Sequence, residues 1–157
     1  MTLIMRKHFL LLFGGLSLLW ACQSPVVFQD QKAITTEGWY YKDYLQFETV
    51  INDTLSLYSI SLDIRNTTDY AYSNLFLFLD IEFPDGRILR DTIECTLADR
   101  RGQWTGSGFG RLRFNRFLFR DHVWFPAEGA YIFRIHHGMR EDTLHGIADA
   151  GIRIERK

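Results

Sequence analysis

The sequence predicts an all-β protein, a single antiparallel β-sandwich of about seven or eight strands behind an N-terminal leader. Three observations carry this. Apolar residues recur at every second position, as in Tyr58, Ile60, Leu62 and Ile64, with Ser59, Ser61, Asp63 and Arg65 between them. That is the period of a half-buried antiparallel strand. Turn residues return at about ten-residue intervals, the spacing of short sandwich strands. Aromatic residues make up 15% of the chain and only three prolines interrupt it, which favours strands over disorder.

The leader comes first. Arg6-Lys7-His8 precedes an eleven-residue apolar stretch, Phe9 to Leu19, and Leu19-Trp20-Ala21-Cys22 follows. A charged start, a short apolar run and a small residue at the cut have the layout of an export signal, and the run is too short to span a bilayer as a helix. Cys after Leu-x-Ala resembles a bacterial lipoprotein signal, although Trp20 stands where a small or aliphatic residue is usual. Residues 1–21 are then removed and Cys22 becomes the lipidated first residue. Each buried methylene contributes about 0.8 kcal/mol, so two or more chains anchor firmly. Residues 22–38 read as the lipidated Cys and a spacer, and residues 39–157 as the sandwich domain.

Within that domain Phe47 to Ile51 is the first clear strand. Asn52-Asp53-Thr54 turns it into the Tyr58 strand. Leu75 to Phe83 is more continuously apolar, as a central strand should be. Pro84-Asp85-Gly86 is a turn in which Pro presets φ and Gly tolerates positive φ, and Arg87 to Leu97 returns as its hairpin partner. Arg100 to Gly110 is a glycine-rich loop. Leu112 and Phe114 open the next strand, with a break expected near Asn115. Pro126 to Gly129 turns into the alternating Ala130 to His136. Met139 to Ile147 forms one helical turn at most, and Gly151 to Glu155 is the last short strand.

Removal of the leader leaves 136 of 157 residues, enough for one domain, and takes Arg6 and Lys7 with it, so the net charge moves from −1 to −3. That balance gives no reason to expect a nucleic-acid partner. With Cys22 acylated, Cys95 has no disulfide partner and reads as a buried, inert thiol.

Each cluster that hints at catalysis fails on spacing. His136 and His137 are adjacent on a strand and point to opposite faces, and His145 does not complete a zinc-like spacing, so no metal is expected. Gly106-Ser107-Gly108-Phe109-Gly110 lacks the Lys and following helix of a phosphate loop. Ser107 with Asp121 and His122 has no nucleophile elbow around the serine. Asp80, Glu82 and Asp85 read as a solvated turn, not as the paired carboxylates of a glycosidase. The chain is therefore not expected to be an enzyme, to carry a cofactor or to turn over a small-molecule substrate.

Contact residues are a different matter. Trp39, Tyr41, Trp104 and Phe109 lie at predicted loops, where aromatic side chains serve protein or sugar recognition; the competing reading makes them caps on the sandwich ends. Asp53-Thr54-Leu55, Asp91-Thr92-Ile93 and Asp142-Thr143-Leu144 resemble the Asp-Thr-aliphatic O-glycosylation signal of exported Bacteroidetes proteins. Thr54 and Thr143, near predicted turns, are the candidate acceptors; Thr92 sits inside a strand.

Arg65-Asn66-Thr67, the stretch Tyr70 to Leu75, Pro84-Asp85-Gly86, Asp91-Thr92, Gly102, Trp104, Gly106, Gly108 and Gly110 stand in an informative order. Phe125-Pro126, Gly129, Tyr131, Gly138-Met139-Arg140, Leu144, Gly146-Ile147, Asp149 and Gly151 to Glu155 continue it. Together with the lipoprotein signal, this order resembles the gliding-motility lipoprotein GldH family of Bacteroidetes. His137 departs from the Gln expected before Gly138-Met139-Arg140. The resemblance implies a lipid-anchored, non-catalytic scaffold of the gliding and type IX secretion machinery, with other gliding-motility envelope lipoproteins as partners. The place expected is the outer membrane, facing the periplasm, because Gln23-Ser24-Pro25-Val26 lacks the acidic run of a surface-export signal. The alternative is a surface-exposed lipoprotein that binds glycan or peptide through its loop aromatics.

Overall fold

The computed structural model describes residues 25–157, so the leader and Cys22 lie outside the described residues. Ten strands follow in order: β1 Val26–Ala33, β2 Trp39–Tyr40, β3 Leu45–Ile51, β4 Tyr58–Thr67, β5 Asn74–Glu82, β6 Ile88–Thr96, β7 Leu112–Val123, β8 Gly129–His137, β9 Thr143–Leu144 and β10 Ile147–Arg156. Sheet one has the order β1-β10-β4-β7, sheet two the order β3-β8-β5-β6, and β2 pairs with β9. All pairings are antiparallel. The fold class is the all-β class expected, and three strands beyond the clear ones, β1, β2 and β9, raise the count.

Between the sheets lies one core. Ile60, Leu62 and Ile64 of β4 and Ile152 and Ile154 of β10 meet Leu75, Leu77 and Leu79 of β5 and Tyr131, Phe133 and Ile135 of β8, all buried. Each such side chain contributes roughly 1.5–3 kcal/mol relative to an exposed one. Cys95 sits in this core, and burial pushes its thiol up to about 12.

Four expectations need correction. The stretch expected as a free spacer is not one over residues 26–33, because β1 pairs along β10 from Val26 to Ala33. Its alternation is weak because it is an edge strand with most side chains in water, where polar residues prevent edge-to-edge association. Gly151 of β10 makes that pairing possible, since a Cβ there would strike the Asp30 carbonyl oxygen. Second, β4 is buried on both faces. Asp63 lies under Arg116, whose Nε and Nη2 reach its two carboxylate oxygens at 2.6 and 2.7 Å. Third, β7 does not break at Asn115. That side chain turns inward, donates to Asn66 Oδ1 (3.2 Å) and accepts from Thr105 Oγ1 (3.1 Å), so its polar groups are satisfied and the ladder continues. Fourth, Met139 to Ile147 contains β9, not a helical turn.

The topology gives the sandwich two distinct ends. Pro25, Arg156, Tyr58 and Val123 form one cross-strand row: Arg156 N donates to Pro25 O (2.7 Å), and Tyr58 pairs with both Arg156 and Val123. Residues 52–57, 83–87 and 124–128 connect strands at that same end. Residues 34–44, 68–73, 97–111 and 138–146 lie at the other. Strand β4 runs from one to the other, about 30 Å at the usual rise.

Candidate functional site: an aromatic and arginine cleft at the far end

The end opposite Pro25 carries the exposed tyrosines Tyr40, Tyr41 and Tyr44. Tyr41 lies in the β2–β3 connection and is 43% exposed. It borders a cleft of about 280 Å³ with Phe78, Arg90, His136, Gly138 and Met139. Strand parity builds this site: Phe78 and Asp80 of β5 and His136 of β8 project from the outer face of sheet two, and β6 brings Arg90 opposite Asp80. Arg90 grips Asp80 through two hydrogen bonds of 2.5 Å and lies over the Phe78 ring at 5.8 Å. Alongside, Arg134 lies over Tyr44 at 5.9 Å, and the Tyr44 ring stands 5.4 Å from His136. Met139 Sδ accepts from Phe76 N at 3.3 Å and holds the rim in place.

The electrostatics are fixed by these pairings. The bond from Arg90 holds the Asp80 carboxyl below the usual carboxylate range, against the opposing effect of burial. Burial lowers His136 more than Asp80, 3.4 Å away, raises it. The cleft therefore presents a neutral imidazole, two aromatic faces and a guanidinium already tied to a carboxylate. Such a surface offers stacking, cation–π contact and hydrogen bonds to a partner.

The residues singled out from sequence are dispersed. Trp39 is only 2% exposed; its Nε1 donates to Asp43 O (3.1 Å) and its ring meets His137 edge-on at 5.7 Å. It is a core residue and presents no surface for contact. Trp104 is half-buried against the same core. Phe109 is 98% exposed on the glycine-rich loop and does not line the Tyr41 cleft. That loop pairs back on β7 through Ser107 N to Phe114 O (3.0 Å) and Phe114 N to Ser107 O (2.6 Å). A Cβ on Gly106 would stand 2.7 Å from the Phe114 carbonyl oxygen, so the glycine permits a close backbone approach. Ser107 and His122 are eight residues of strand apart, about 26 Å, and form no triad. Of Asp80, Glu82 and Asp85, only the exposed Asp85, paired with Arg87, is the solvated turn expected; Asp80 is buried under Arg90 and Glu82 is paired with Arg134. Thr54 is half-buried in the β3–β4 connection, and Thr143 half-buried in β9.

Phe78, Arg90, His136 and Met139 were missed as site residues. The signal was present: the hairpin through Pro84-Asp85-Gly86 sets Asp80 against Arg90, and parity then puts Phe78 on their face.

Fold and surface together define the class, an all-β sandwich with no metal-holding group of His, Cys, Asp or Glu among the described residues. The chain belongs to the GldH lipoprotein family, which its residues 26–154 match. It is 33% identical over 143 residues to "Gliding motility lipoprotein GldH homolog" of Christiangramia forsetii, covering 87% of each chain. It is 30% identical over 147 residues to "Gliding motility lipoprotein GldH" of Flavobacterium johnsoniae, covering 89% of this chain and 91% of that one. Among solved structures, an infectious bursal disease virus Gt strain chain aligns at 12% identity with a TM-score of 0.36. The VP2 subviral particle of the same virus aligns at 14% with 0.33. These alignments cover 81% and 84% of this chain but only 30% and 31% of the viral ones, and no argument rests on them.

Proposed function

We propose that this protein is a lipid-anchored, non-catalytic component of the gliding-motility envelope machinery linked to type IX secretion. Cys22 carries the lipid, and the far-end cleft engages another envelope lipoprotein. The observation that carries the reading is the family match across residues 26–154, with relatives bearing gliding-motility names. The polarity of the fold supports it: the chain enters at one end and the aromatic cleft lies toward the other. Anchoring supplies the mechanism, because two proteins held on one surface meet at a raised effective concentration. The periplasmic face of the outer membrane is the location put forward.

Crosslinking pull-down from native envelopes tests the contact. Wild type should retain a discrete partner that Tyr41→Ala with Tyr44→Ala loses, while the variant stays in the membrane fraction; equal capture by both would overturn the assignment to this cleft. Protease shaving of whole cells tests location. Protection is expected, whereas complete digestion would move the cleft to the cell surface and to glycan or peptide capture. An O-glycan on Thr143 belongs to the same proposal, and peptide mapping of the native protein checks it and shows whether Thr54 is bare.

A further inference from the structure

We propose that the end where the chain enters is a bilayer-docking face, at which Leu55, Leu57 and Trp124 seat in the lipid interface and hold the sandwich upright. This rests on Cys22 being the lipidated residue. Only two residues, Gln23 and Ser24, separate Cys22 from Pro25, which is three Cα steps away and already bonded to Arg156 of β10. Three such steps reach at most about 10 Å. The entry end of the sandwich is therefore held within that distance of the acylated residue, and the bilayer is the surface always within reach.

The apolar groups at this end are displayed rigidly. Asp53 ties the β3–β4 connection: its carboxylate accepts from Leu55 N (2.9 Å), Ser56 N (3.0 Å) and Ser56 Oγ (2.6 Å). Tyr58 OH donates to the Asp53 carbonyl at 2.7 Å. On this braced turn Leu55 is 95% exposed. Leu57, also exposed, follows it and accepts from Lys157 N at 2.9 Å. Across the row, His122 takes a φ of 53° and bends the end of β7, and Trp124 emerges 67% exposed. A braced leucine gains nothing from water, whereas leucine beside tryptophan suits the boundary between acyl chains and headgroups.

Charge points the same way. Arg156 faces Asp53 at 3.6 Å, Lys157 faces Asp121 at 3.4 Å and Arg87 faces Asp85 at 2.6 Å. These pairs leave no basic patch, so the contact is apolar and should withstand salt.

The test uses the lipidated protein reconstituted in phosphatidylethanolamine–phosphatidylglycerol vesicles whose acyl chains are brominated. Quenching of tryptophan emission is expected, from Trp124 and not from buried Trp39 or half-buried Trp104. It should disappear in Trp124→Phe, persist in Trp104→Phe, weaken in Leu55→Ser and survive raised salt. Protein that floats with the vesicles but shows no Trp124 quenching would overturn the docking face and leave the anchor standing. Protein that does not float would overturn the anchor and this proposal with it. A dimer in detergent that Leu55→Ser abolishes, without quenching in vesicles, would assign the patch to a second copy and overturn it. So would a glycan on Thr54, which would hold this end away from lipid.

Discussion

At the entry end the exposed apolar groups include Leu55, Leu57 and Trp124, set among ion pairs that neutralise one another. At the far end they include tyrosines and Phe109, with arginines laid over Tyr44 and Phe78. Aliphatic groups can offer only burial. Tyrosine and arginine add hydrogen bonds and stacking, which distinguish one protein surface from another. The two ends thus suit different neighbours, a fluid interface and a shaped partner. The core between them keeps the two about 30 Å apart.

The largest expected effect separates the tryptophans at the two ends. Trp39→Ala should cost about 3–5 kcal/mol of unfolding free energy because it opens a cavity. Trp124→Ala should stay within about 0.5 kcal/mol. Denaturant titration of both variants checks this, and a similar cost for Trp124 would make it core support and dissolve the contrast. Next come the outer faces. Arg116→Met should cost about 3 kcal/mol, because Asp63 is left buried without its partner. Arg90→Met should cost roughly 1 kcal/mol, since that arginine is largely in solvent. If Arg90→Met proves the more damaging, the far-end cleft is a structural prop and not a contact surface.

Acid should weaken the far end specifically. Burial lowers His137 below the usual histidine value, against the Trp39 backbone and Glu141, which favour its charged form; His136 is lowered as well. The unfolded chain then takes up protons at a higher pH than the folded one. The stability these residues lend is complete above about pH 6.5 and declines as pH falls below it. A melting temperature that drops between pH 7.5 and 5.5, and drops less in His137→Gln, is the expected outcome; a flat or rising profile would remove this account. The smallest effect concerns Cys95. With its thiol pushed up to about 12, it should resist iodoacetamide at pH 8 until the protein is denatured, and rapid labelling of folded protein would contradict its burial.

The strands that cover the core were legible in the sequence, because one face of each must be apolar. The period of two located β4 and β8, a nearly continuous apolar run located β5, and Pro84-Asp85-Gly86 located the β5–β6 hairpin. What escaped was pairing without a hydrophobic signature. β1 is an edge strand with polar side chains, so nothing in its composition separates it from a tether. β2 and β9 are two residues each, too short for any period to appear. The candidate site was half legible. Tyr41 is legible from its place beside a predicted turn, whereas Phe78 stands inside an apolar run and only strand parity turns it outward. Trp39 was misplaced for the converse reason: a tryptophan beside three tyrosines reads as an exposed cluster until the fold turns it inward.

One measurement addresses the polarity directly. A photocrosslinking residue is placed at position 41 in one strain and at position 55 in another, and both are irradiated in intact cells. The account expects a discrete protein adduct from position 41 and lipid adducts from position 55. Protein adducts from position 55 with lipid adducts from position 41 would contradict it.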